Sequence, residues 1–321
     1  MVPLSGASMT RPFLSLLDYT SEELEGLLDL ARQMKLCPEA FRTACSGQTL
    51  AMIFQKPSLR TRVSFEVGIG ELGGHGIYLG PTDIQLHRGE TIADTARVLS
   101  RYADGIMARV FAHADVVALA ENASVPVING LSDLLHPCQV LADLLTIREK
   151  KGRLEGLTLA FVGDGNNMAH SLLNGGARFG MHVRVSHPAG YAPDVDVVAA
   201  ARQAAAATGG SIHLTTDPRE GVEGADVVYT DVWASMGQEK EAAERLARFR
   251  GFQVDAALMR LARPDAVFLH CLPAHRGEEV TGEVIDGPAS VVFDEAENRL
   301  HAQKAIMARL MGSARARGPA W

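Results

Sequence analysis

Short apolar runs alternate with amphipathic stretches along almost the whole chain of 321 residues. Such alternation is typical of strands separated by helices, and it predicts an α/β fold with parallel sheets. The chain is long for a single hydrophobic core, so two domains are expected. The stretch 150–156 interrupts the pattern with charged residues and two glycines, and we expect the boundary between the domains there.

The predicted elements follow from these runs. In the first half, strands are expected at 49–54, 76–79, 105–109 and 126–129, with helices at 61–72, 91–102, 113–120 and 137–151. In the second half, strands are expected at 157–163, 182–185, 212–215, 227–230, 267–269 and 291–293. The alanine-rich stretch 199–207 and the stretch 299–311 are predicted to be helices.

Charge and composition exclude several classes of partner. Hydrophobic residues make up 47% of the chain and charged residues 21%, which is ordinary for a globular enzyme. The formal net charge of −7 argues against nucleic acid, whose phosphate backbone needs a basic surface. No stretch reaches the roughly 18 apolar residues of a membrane span, so no membrane partner is expected. The chain start has no secretory pattern and the four cysteines are scattered, which indicates a cytoplasmic protein.

The run Ser58-Leu59-Arg60-Thr61-Arg62 brings two hydroxyl groups and two guanidinium groups together between a predicted strand and a predicted helix. A helix start offers backbone N–H groups to an anion, and its dipole disfavours cations unless an anion binds there. The planar donor fork of Arg60 suits phosphate geometry. The run therefore predicts a site for a small ligand that carries a phosphate-like dianion.

Other residues of the first half fit such a ligand. Arg109 ends the strand predicted at 105–109, and ligands of open α/β sheets bind beyond the carboxyl ends of strands. A lone arginine at a strand end, however, more often forms a surface ion pair. His136 and Gln139 stand at the start of the helix predicted at 137–151. There the imidazole can polarise a carbonyl group and the amide can bind an amide-like substrate.

Polar residues also follow the strands predicted in the second half. Gly163-Asp-Gly-Asn-Asn-Met168 opens a helix, which keeps a nicotinamide-dependent oxidoreductase as an alternative. Met168 replaces the third glycine of the dinucleotide motif and no acidic residue ends the next strand, so the sequence disfavours that alternative. Asp231 and Ser235 precede a glycine in a loop that could hold an ammonium group and close over it, although an ordinary turn is the simpler interpretation.

The run His270-Cys271-Leu272-Pro273-Ala274-His275-Arg276 crowds histidine and cysteine together. Its spacing matches no standard zinc pattern, and the proline breaks a regular face of ligands. We therefore predict no metal and no cofactor.

Taken together, these motifs resemble those of the aspartate/ornithine carbamoyltransferase family over essentially the whole chain. Ser-x-Arg-Thr-Arg and His-Pro-x-Gln mark the family, where they bind carbamoyl phosphate, and they stand here at 58–62 and 136–139. Asp-x-x-x-Ser-Met-Gly and His-Cys-Leu-Pro mark its ornithine branch, and they stand at 231–237 and 270–273. Leu59 departs from the threonine of many relatives, although a backbone N–H at this position would still serve.

The resemblance implies a role for each matching residue. Carbamoyl phosphate would be bound by Ser58, Leu59 (through its backbone), Arg60, Thr61, Gln85, Arg109, His136, Gln139, Cys271, Leu272 and Arg299. L-Ornithine would be bound by Asn167, Asp231, Ser235 and Met236. The residues expected to act in the reaction are Arg60, Arg109, His136, Asp231 and Cys271, with Cys271 beside the reacting δ-nitrogen. Carbamoyl phosphate has a good anionic leaving group, so neither a metal nor a covalent nucleophile is required.

The resemblance also implies the fold and the assembly. The family has two doubly wound parallel-sheet domains joined by helices. Here a carbamoyl-phosphate-binding domain would span 1–150, joined by the C-terminal helix 299–321, and an ornithine-binding domain would span 151–298. The chains would assemble as trimers or multiples of trimers, with Gln85 reaching into a neighbouring subunit's site.

The implied activity is transfer of the carbamoyl group of carbamoyl phosphate to the δ-amine of L-ornithine, which gives L-citrulline and phosphate, as in arginine biosynthesis. Besides the oxidoreductase, two alternatives are a transferase that acts on acetylornithine or putrescine and a binding protein that has lost catalysis. The sequence leaves open the direction of the reaction in the cell and whether trimers stack further.

Overall fold

The computed structural model describes residues 11–84, 89–234 and 242–312. The chain divides into two compact units, one formed by Met1–Leu141 with Arg299–Trp321 and the other by Ala142–Asn298. Each unit contains a parallel sheet flanked by helices, so the fold class predicted from the sequence is confirmed. No helix within these described ranges combines the length and the apolar character needed to cross a membrane.

The first unit is built around strands β1 to β4. They are β1 Thr49–Phe54, β2 His75–Leu79, β3 Gly105–Arg109 and β4 Val127–Leu131. The helices of this unit are α1 Ser21–Leu36, α2 Leu59–Glu71, α3 Ile92–Tyr102 and α4 His113–Asn122, with short 3-10 helices at Leu16–Asp18 and Pro38–Phe41. Helix α5, Pro137–Lys151, begins in this unit and ends in the second.

The second unit is built around strands β5 to β9. They are β5 Thr158–Val162, β6 His182–Ser186, β7 Ser211–Thr215, β8 Val227–Thr230 and β9 Val267–Leu269. The helices are α6 Asn167–Arg178, α7 Val195–Thr208, α8 Pro218–Val222, α9 Ala242–Arg248, α10 Ala256–Met259 and α11 Gly282–Ile285. Helix α12, Val292–Met311, begins here and ends in the first unit.

The strand predicted at 291–293 is wrong, because α12 already begins at Val292. The β-branched pair Val291-Val292 is typical of a strand, but the extended backbone stops at one isolated bridge between Ser290 and Phe268. Val291 donates its N–H to the Phe268 carbonyl oxygen at 3.0 Å, and the chain then turns into the helix. Burial of Val292 inside the second unit explains its apolar side chain without a strand.

The strand order reverses within each sheet. The order is β2-β1-β3-β4 in the first unit and β7-β6-β5-β8-β9 in the second, and all neighbouring strands are parallel. The chain therefore changes direction across the sheet between β1 and β3, and again between β5 and β8. Crevices form beyond the carboxyl ends of strands at such switch points, and ligands of open α/β sheets bind there. The fold thus indicates one candidate position in each unit.

Strand register identifies the residues at these two positions. Phe54 at the end of β1 pairs with Arg109 at the end of β3. Val162 at the end of β5 pairs with Thr230 at the end of β8. The residues that follow these strand ends carry the polar motifs found in the sequence. Parallel sheets covered on both faces read as near-continuous apolar runs, which is why the strands were recognisable while their neighbours in space were not.

Candidate active site

In the first unit, Ser58 caps helix α2 at the predicted site for a phosphate-like anion. Its Oγ accepts the N–H of Thr61 at 3.3 Å and lies 3.1 Å from Thr61 Oγ1. The helix therefore starts at Leu59, two residues before the predicted start at 61. The N–H groups of a first helical turn have no acceptor within the helix and face outward from its start. They point into the region beyond β1 and favour an anion there.

Thr61 links the start of helix α2 to helix α12. Its Oγ1 accepts a hydrogen bond from Arg299 Nη2 at 2.9 Å, and its side chain is fully buried. Because its oxygen faces both Ser58 and Arg299, the hydroxyl proton of Thr61 can be directed to a third group. Helix α12 thereby contributes a guanidinium to the first unit from a position far along the sequence.

A buried histidine lies in the middle of the cationic residues. Burial lowers the pKa of His136 well below its usual range, and the positive charges of Arg299, Arg109, Lys56 and Arg60 lower it further, in that order. His136 is therefore a neutral imidazole at physiological pH, able to donate one hydrogen bond and accept another. Four cations around one neutral ring make the region strongly attractive to an anion.

Two loops hold the cationic residues in register. Gln55 donates its N–H to the Arg109 carbonyl oxygen at 2.9 Å, which joins the end of β1 to the end of β3. Its side chain accepts the N–H of Phe111 at 2.7 Å and donates to Asp115 Oδ2 at 2.9 Å. Arg109 itself is almost completely buried, which distinguishes it from the surface ion pair that a strand-end arginine more often forms.

The sequence missed Lys56 as a site residue. The only signal was its place in the link between β1 and the cap of α2. Its Nζ lies 5.0 Å from the centre of the Phe111 ring, a cation–π contact that orients the ammonium group. Gln139, which the sequence did predict, is fully buried one turn into α5 from His136.

Arg62 is the one guanidinium of the motif that does not face this region. It pairs with Glu66 at 3.2 Å, one turn along α2, and lies over the ring of Tyr78 at 4.0 Å. Its charge near the helix start is thus compensated within the helix. Leu59 is 76% exposed, so only its backbone can serve the site.

The second unit places an acidic residue at its switch point. Asp231 follows β8 and is almost completely buried. Its Oδ2 accepts from Asn166 Nδ2 at 2.9 Å and its Oδ1 accepts from Cys271 Sγ at 3.1 Å. A carboxylate has about four acceptor positions, so each oxygen retains the capacity to accept from a cationic donor.

Asn166 fixes this carboxylate and caps helix α6. Its Oδ1 accepts the N–H groups of Met168 and Ala169 at 2.9 and 3.2 Å, while its amide nitrogen donates to Asp231. The sequence assigned a role to Asn167, which is half-buried at the start of α6, and missed Asn166. An asparagine directly before a helix is a capping signal that could have identified it.

Cys271 is a thiol rather than a thiolate. Burial raises its pKa well above the usual range, and the negative charges of Asp231 and Glu295 raise it further. The thiolate is the nucleophilic form of cysteine, so this residue is unsuited to covalent catalysis. As a protonated group it donates to Asp231 and offers a soft surface after β9.

Hydrogen bonds hold the turn that carries Cys271 and Leu272. The N–H of Leu272, whose φ is 57°, donates to His270 Nδ1 at 2.9 Å. The opposite ring nitrogen, Nε2, lies 3.1 Å from Glu279 Oε1, and the backbone N–H of His270 donates to Glu295 Oε2 at 2.9 Å. Both ring nitrogens of His270 are therefore engaged, although ligand-type atoms of Asp231, His270 and Cys271 lie within 4.8 Å of one another.

A buried ion pair lies beside the predicted ornithine loop. Arg245 Nη1 contacts Asp164 Oδ2 at 2.6 Å and donates to the Trp233 carbonyl oxygen at 2.9 Å. Burial raises the pKa of Asp164, while the Arg245 hydrogen bond opposes that rise. Ser235, Met236 and Gln85 lie outside the described residues.

Gly165, one of the glycines behind the oxidoreductase alternative, is required by the packing of the chain itself. A Cβ at Gly165 would lie 2.2 Å from the Pro193 nitrogen and 2.3 Å from the Ala192 carbonyl carbon. The missing side chain therefore lets two loops of the same unit approach each other. This packing explains the glycine without a bound dinucleotide.

The fold is that of an α/β protein, and the candidate ligand-binding residues lie at the carboxyl ends of two parallel sheets. Two family models match the chain: the carbamoyl-P binding domain of aspartate/ornithine carbamoyltransferase over 11–149, and its Asp/Orn binding domain over 155–310. The chain belongs to the aspartate/ornithine carbamoyltransferase family.

Relatives within the family are similar over nearly their whole length. The chain is 62% identical to an ornithine carbamoyltransferase of Thermococcus kodakarensis, covering 94% of this chain and 96% of that protein. It is 60% identical, over the same shares, to an anabolic ornithine carbamoyltransferase of Pyrococcus furiosus. The solved structure of an ornithine carbamoyltransferase from Pyrococcus furiosus superimposes with a TM-score of 0.92 at 59% identity, covering 96% of this chain and 99% of that one.

Proposed function

We propose that this protein transfers the carbamoyl group of carbamoyl phosphate to the δ-amine of L-ornithine, which yields L-citrulline and phosphate. The observation that carries the proposal is the cluster of Lys56, Arg60, Arg109 and Arg299 around a neutral His136. Such a cluster suits a ligand with a dianionic phosphate group and an uncharged carbonyl group. We infer ornithine as the acceptor from the names of the relatives, which are ornithine carbamoyltransferases.

Carbamoyl phosphate is assigned to the residues of the first unit. The phosphate is held by Ser58, the Leu59 backbone, Arg60, Thr61 and Arg109, with Lys56 added to the predicted set. The carbamoyl end is held by His136, Gln139 and Arg299, which are buried. Cys271, Leu272 and Gln85 remain assigned to this ligand by the resemblance alone. The Leu272 N–H is already donated to His270, so Leu272 is assigned to act through its carbonyl oxygen.

The reaction follows from these charges. As the δ-nitrogen attacks, the carbonyl oxygen becomes negative and is stabilised by Arg60, His136 and the Thr61 hydroxyl. When the carbon–oxygen bond to phosphate breaks, the proton of the attacking amine passes to the departing phosphate, and Arg60 and Arg109 stabilise the negative charge that moves onto that group. The positioned groups lower the barrier without a covalent intermediate, and most of the remaining work is orientation of the amine.

L-Ornithine is assigned to residues of the second unit. Asp231 binds the α-ammonium group as a buried acceptor, and Asn167, Ser235 and Met236 bind the rest of the α-amino acid end. The Cys271 thiol, which donates to Asp231, lies beside the δ-nitrogen and does not attack the substrate. We assign carbamoyl phosphate binding to a domain of residues 1–150 with 299–321, and ornithine binding to a domain of residues 151–298.

The assembly is assigned as a homotrimer, or a multiple of trimers, in the cytoplasm. An exposed apolar stripe on α2 supports self-association, because Leu59, Val63 and Val67 recur every four residues and are 76%, 47% and 44% exposed. Ile77 on the neighbouring edge strand β2 extends this apolar surface. Closed symmetry lets every subunit use the same surface, and Gln85 is assigned to a neighbouring subunit's site. The role in the cell is assigned to arginine biosynthesis, as for the anabolic relative.

A colorimetric citrulline assay tests the proposed activity. The purified chain should form citrulline from carbamoyl phosphate and ornithine, and the activity should survive exhaustive chelation. Acetylornithine, putrescine and aspartate should each react far more slowly than ornithine. A preference for any of these acceptors, or binding of carbamoyl phosphate without product, contradicts the proposal.

Subunit complementation tests the shared site. A Gln85→Ala chain and an Arg60→Ala chain, each weak alone, should recover part of the activity when trimers reassort. In mixed trimers some sites take an intact Gln85 and an intact Arg60 from different chains. Mixed trimers without recovery, verified by native mass spectrometry, mean that each site is self-contained.

A further inference from the structure

Three ligand-type side chains meet in the loop that follows the Cys271 turn. His275 Nδ1 lies 3.8 Å from Glu278 Oε2 and 3.8 Å from Glu279 Oε2. One ligand atom from each residue lies within 4.8 Å of the other two. None of the three is among the residues assigned to carbamoyl phosphate or ornithine.

Glu279 leaves one buried oxygen directed at this cluster. Its side chain is completely buried, and its Oε1 accepts the N–H of His275 at 2.6 Å and faces His270 Nε2 at 3.1 Å. Its Oε2 has no hydrogen-bond partner. A buried carboxyl oxygen without a partner is costly, so such an atom indicates a group that completes it.

The loop holds the three side chains together without a ligand. Gly277, with a φ of +94°, donates its N–H to the Val280 carbonyl oxygen at 2.8 Å, and Glu278 donates to the His275 carbonyl oxygen at 2.9 Å. Arg276, the nearest cation in the sequence, forms two hydrogen bonds with Asp286 at 2.9 and 2.7 Å. Its charge is thereby paired with Asp286 instead of the two glutamates.

We propose that His275, Glu278 and Glu279 bind a divalent transition-metal ion of the Zn²⁺ type. An imidazole with two carboxylates suits zinc and its neighbours, whereas Mg²⁺ and Ca²⁺ prefer oxygen ligands alone. Zinc ligands about 2.1 Å from the metal in tetrahedral geometry are roughly 3.4 Å apart. The two separations of 3.8 Å and the third, which lies within 4.8 Å, therefore need side-chain shifts of at most roughly 1.4 Å. The side chains of His275 and Glu278 are 52% and 45% exposed, which leaves the ion a path of entry and room for water.

The position of this site connects it with the Cys271 turn. Glu279 would hold the ion through Oε2 while its Oε1 holds His270, and His270 receives the N–H of Leu272. Residues that orient other groups at a metal site are typically coupled to its occupancy. The ion is thus a ligand with a direct link to the backbone after β9 and no part in the carbamoyl transfer itself.

Calorimetric titration with Zn²⁺ tests the site in the full-length protein. Among the described residues, Asp231, His270 and Cys271 form the other cluster of metal-binding type. A Cys271→Ala background removes one ligand from that cluster. In that background one Zn²⁺ should bind per chain. His275→Ala and the conservative, exposed Glu278→Gln should each raise the Kd at least about tenfold, as the loss of a ligand requires.

A matched control separates this site from ordinary surface histidines. His213 is an exposed histidine of the same unit that pairs with Glu220 at 2.8 Å, and His213→Ala should leave the Kd unchanged. Each variant must keep the parent's thermal midpoint in the absence of metal. Zn²⁺ affinity equal to the parent's in Glu278→Gln and His275→Ala overturns the proposal. An equal loss of affinity in His213→Ala also overturns it, because binding would then be non-specific.

Discussion

The two units use the same architecture to build candidate binding regions of opposite charge. Both place polar residues beyond the carboxyl ends of parallel strands, at the point where strand order reverses. In the first unit Arg60, Arg109 and Arg299 surround one buried imidazole, whereas in the second Asp231 accepts from a half-buried thiol. The fold therefore decides where a ligand binds, and the sign of a few side chains decides which ligand it is.

His136 in the first region and Cys271 in the second are both neutral, for opposite reasons. Burial and surrounding cations lower the pKa of His136. Burial and surrounding carboxylates raise the pKa of Cys271. Each region thus keeps one uncharged hydrogen-bond donor next to its charged groups. A neutral donor can bind its substrate without repelling the charge that the other side chains attract.

The largest expected effect follows from Arg60→Ala, which removes the planar fork of the cationic region. A charge-assisted contact contributes about 1.5–3 kcal/mol, so affinity for carbamoyl phosphate should fall about 10- to 150-fold in calorimetry. Arg60→Lys should also bind poorly, since an ammonium group cannot reproduce the fork. Arg62→Ala is the matched control, because that guanidinium contacts Glu66 and Tyr78 and should leave affinity within about twofold. Equal losses in both variants would show that only overall charge matters.

The pKa of His136 sharpens the comparison next. NMR titration should find its ring neutral well below the ordinary midpoint of about 6.5, and inorganic phosphate should raise its pKa by offsetting the surrounding positive charge. Between the folded-state pKa and about 6.5, the unfolded chain binds more protons than the folded chain. The free energy of unfolding therefore increases with pH across this window. The stability that the neutral His136 contributes is lost as the pH falls through the same window. An ordinary midpoint, unaffected by phosphate, contradicts the account of the cationic region.

Cys271 tests the acidic region. Asp231→Asn removes the charge that raises the thiol pKa after burial, so alkylation of Cys271 by iodoacetamide at pH 8 should become faster, about tenfold for each unit of pKa. Peptide mass spectrometry can follow it against buried Cys45 in the same sample. Faster alkylation of Cys45 as well would indicate loosening of the fold instead of an electrostatic effect.

Asn166→Ala should have the smallest effect. It removes a helix cap, which costs about 0.5–2 kcal/mol of stability, and a hydrogen bond to Asp231. The KM for ornithine should rise about threefold or more, on the scale of one ordinary hydrogen bond. Asp194→Ala removes the comparable cap of α7 without touching Asp231, so it should lower stability and leave this KM unchanged. The same KM in both variants would leave Asn166 with a capping role only.

The sequence predicted what depends on local patterns. The buried strands of both sheets read as apolar runs, and the run Ser58 to Arg62, Arg109 and Asp231 were identified by their place at or after the ends of such runs. The strand predicted at 291–293 failed because β-branched residues at a helix start look like a strand until their partners in space are known. Local propensity there gave way to burial of Val292.

Contacts between residues far apart in sequence could not be predicted from pattern alone. Arg299 reaches Thr61 across 238 positions, and only the family resemblance suggested it. Lys56 and Asn166 were missed because their roles depend on charge and capping geometry around neighbours chosen by the fold. The sequence assigned phosphate binding to Arg60 and gave Arg62 no role, and the structure shows Arg62 over the ring of Tyr78.

The most direct test of oppositely charged regions for two substrates is calorimetry on Asp231→Asn. A stable carbamoyl phosphate analogue is titrated first, and ornithine is then titrated into the saturated protein. Affinity for the analogue should stay within about threefold of the wild type, while affinity for ornithine should fall at least about tenfold, as expected for loss of a charge-assisted contact. If the affinity for the analogue instead falls at least about tenfold while the affinity for ornithine stays unchanged, the assignment of the acidic region to the amino acid is contradicted.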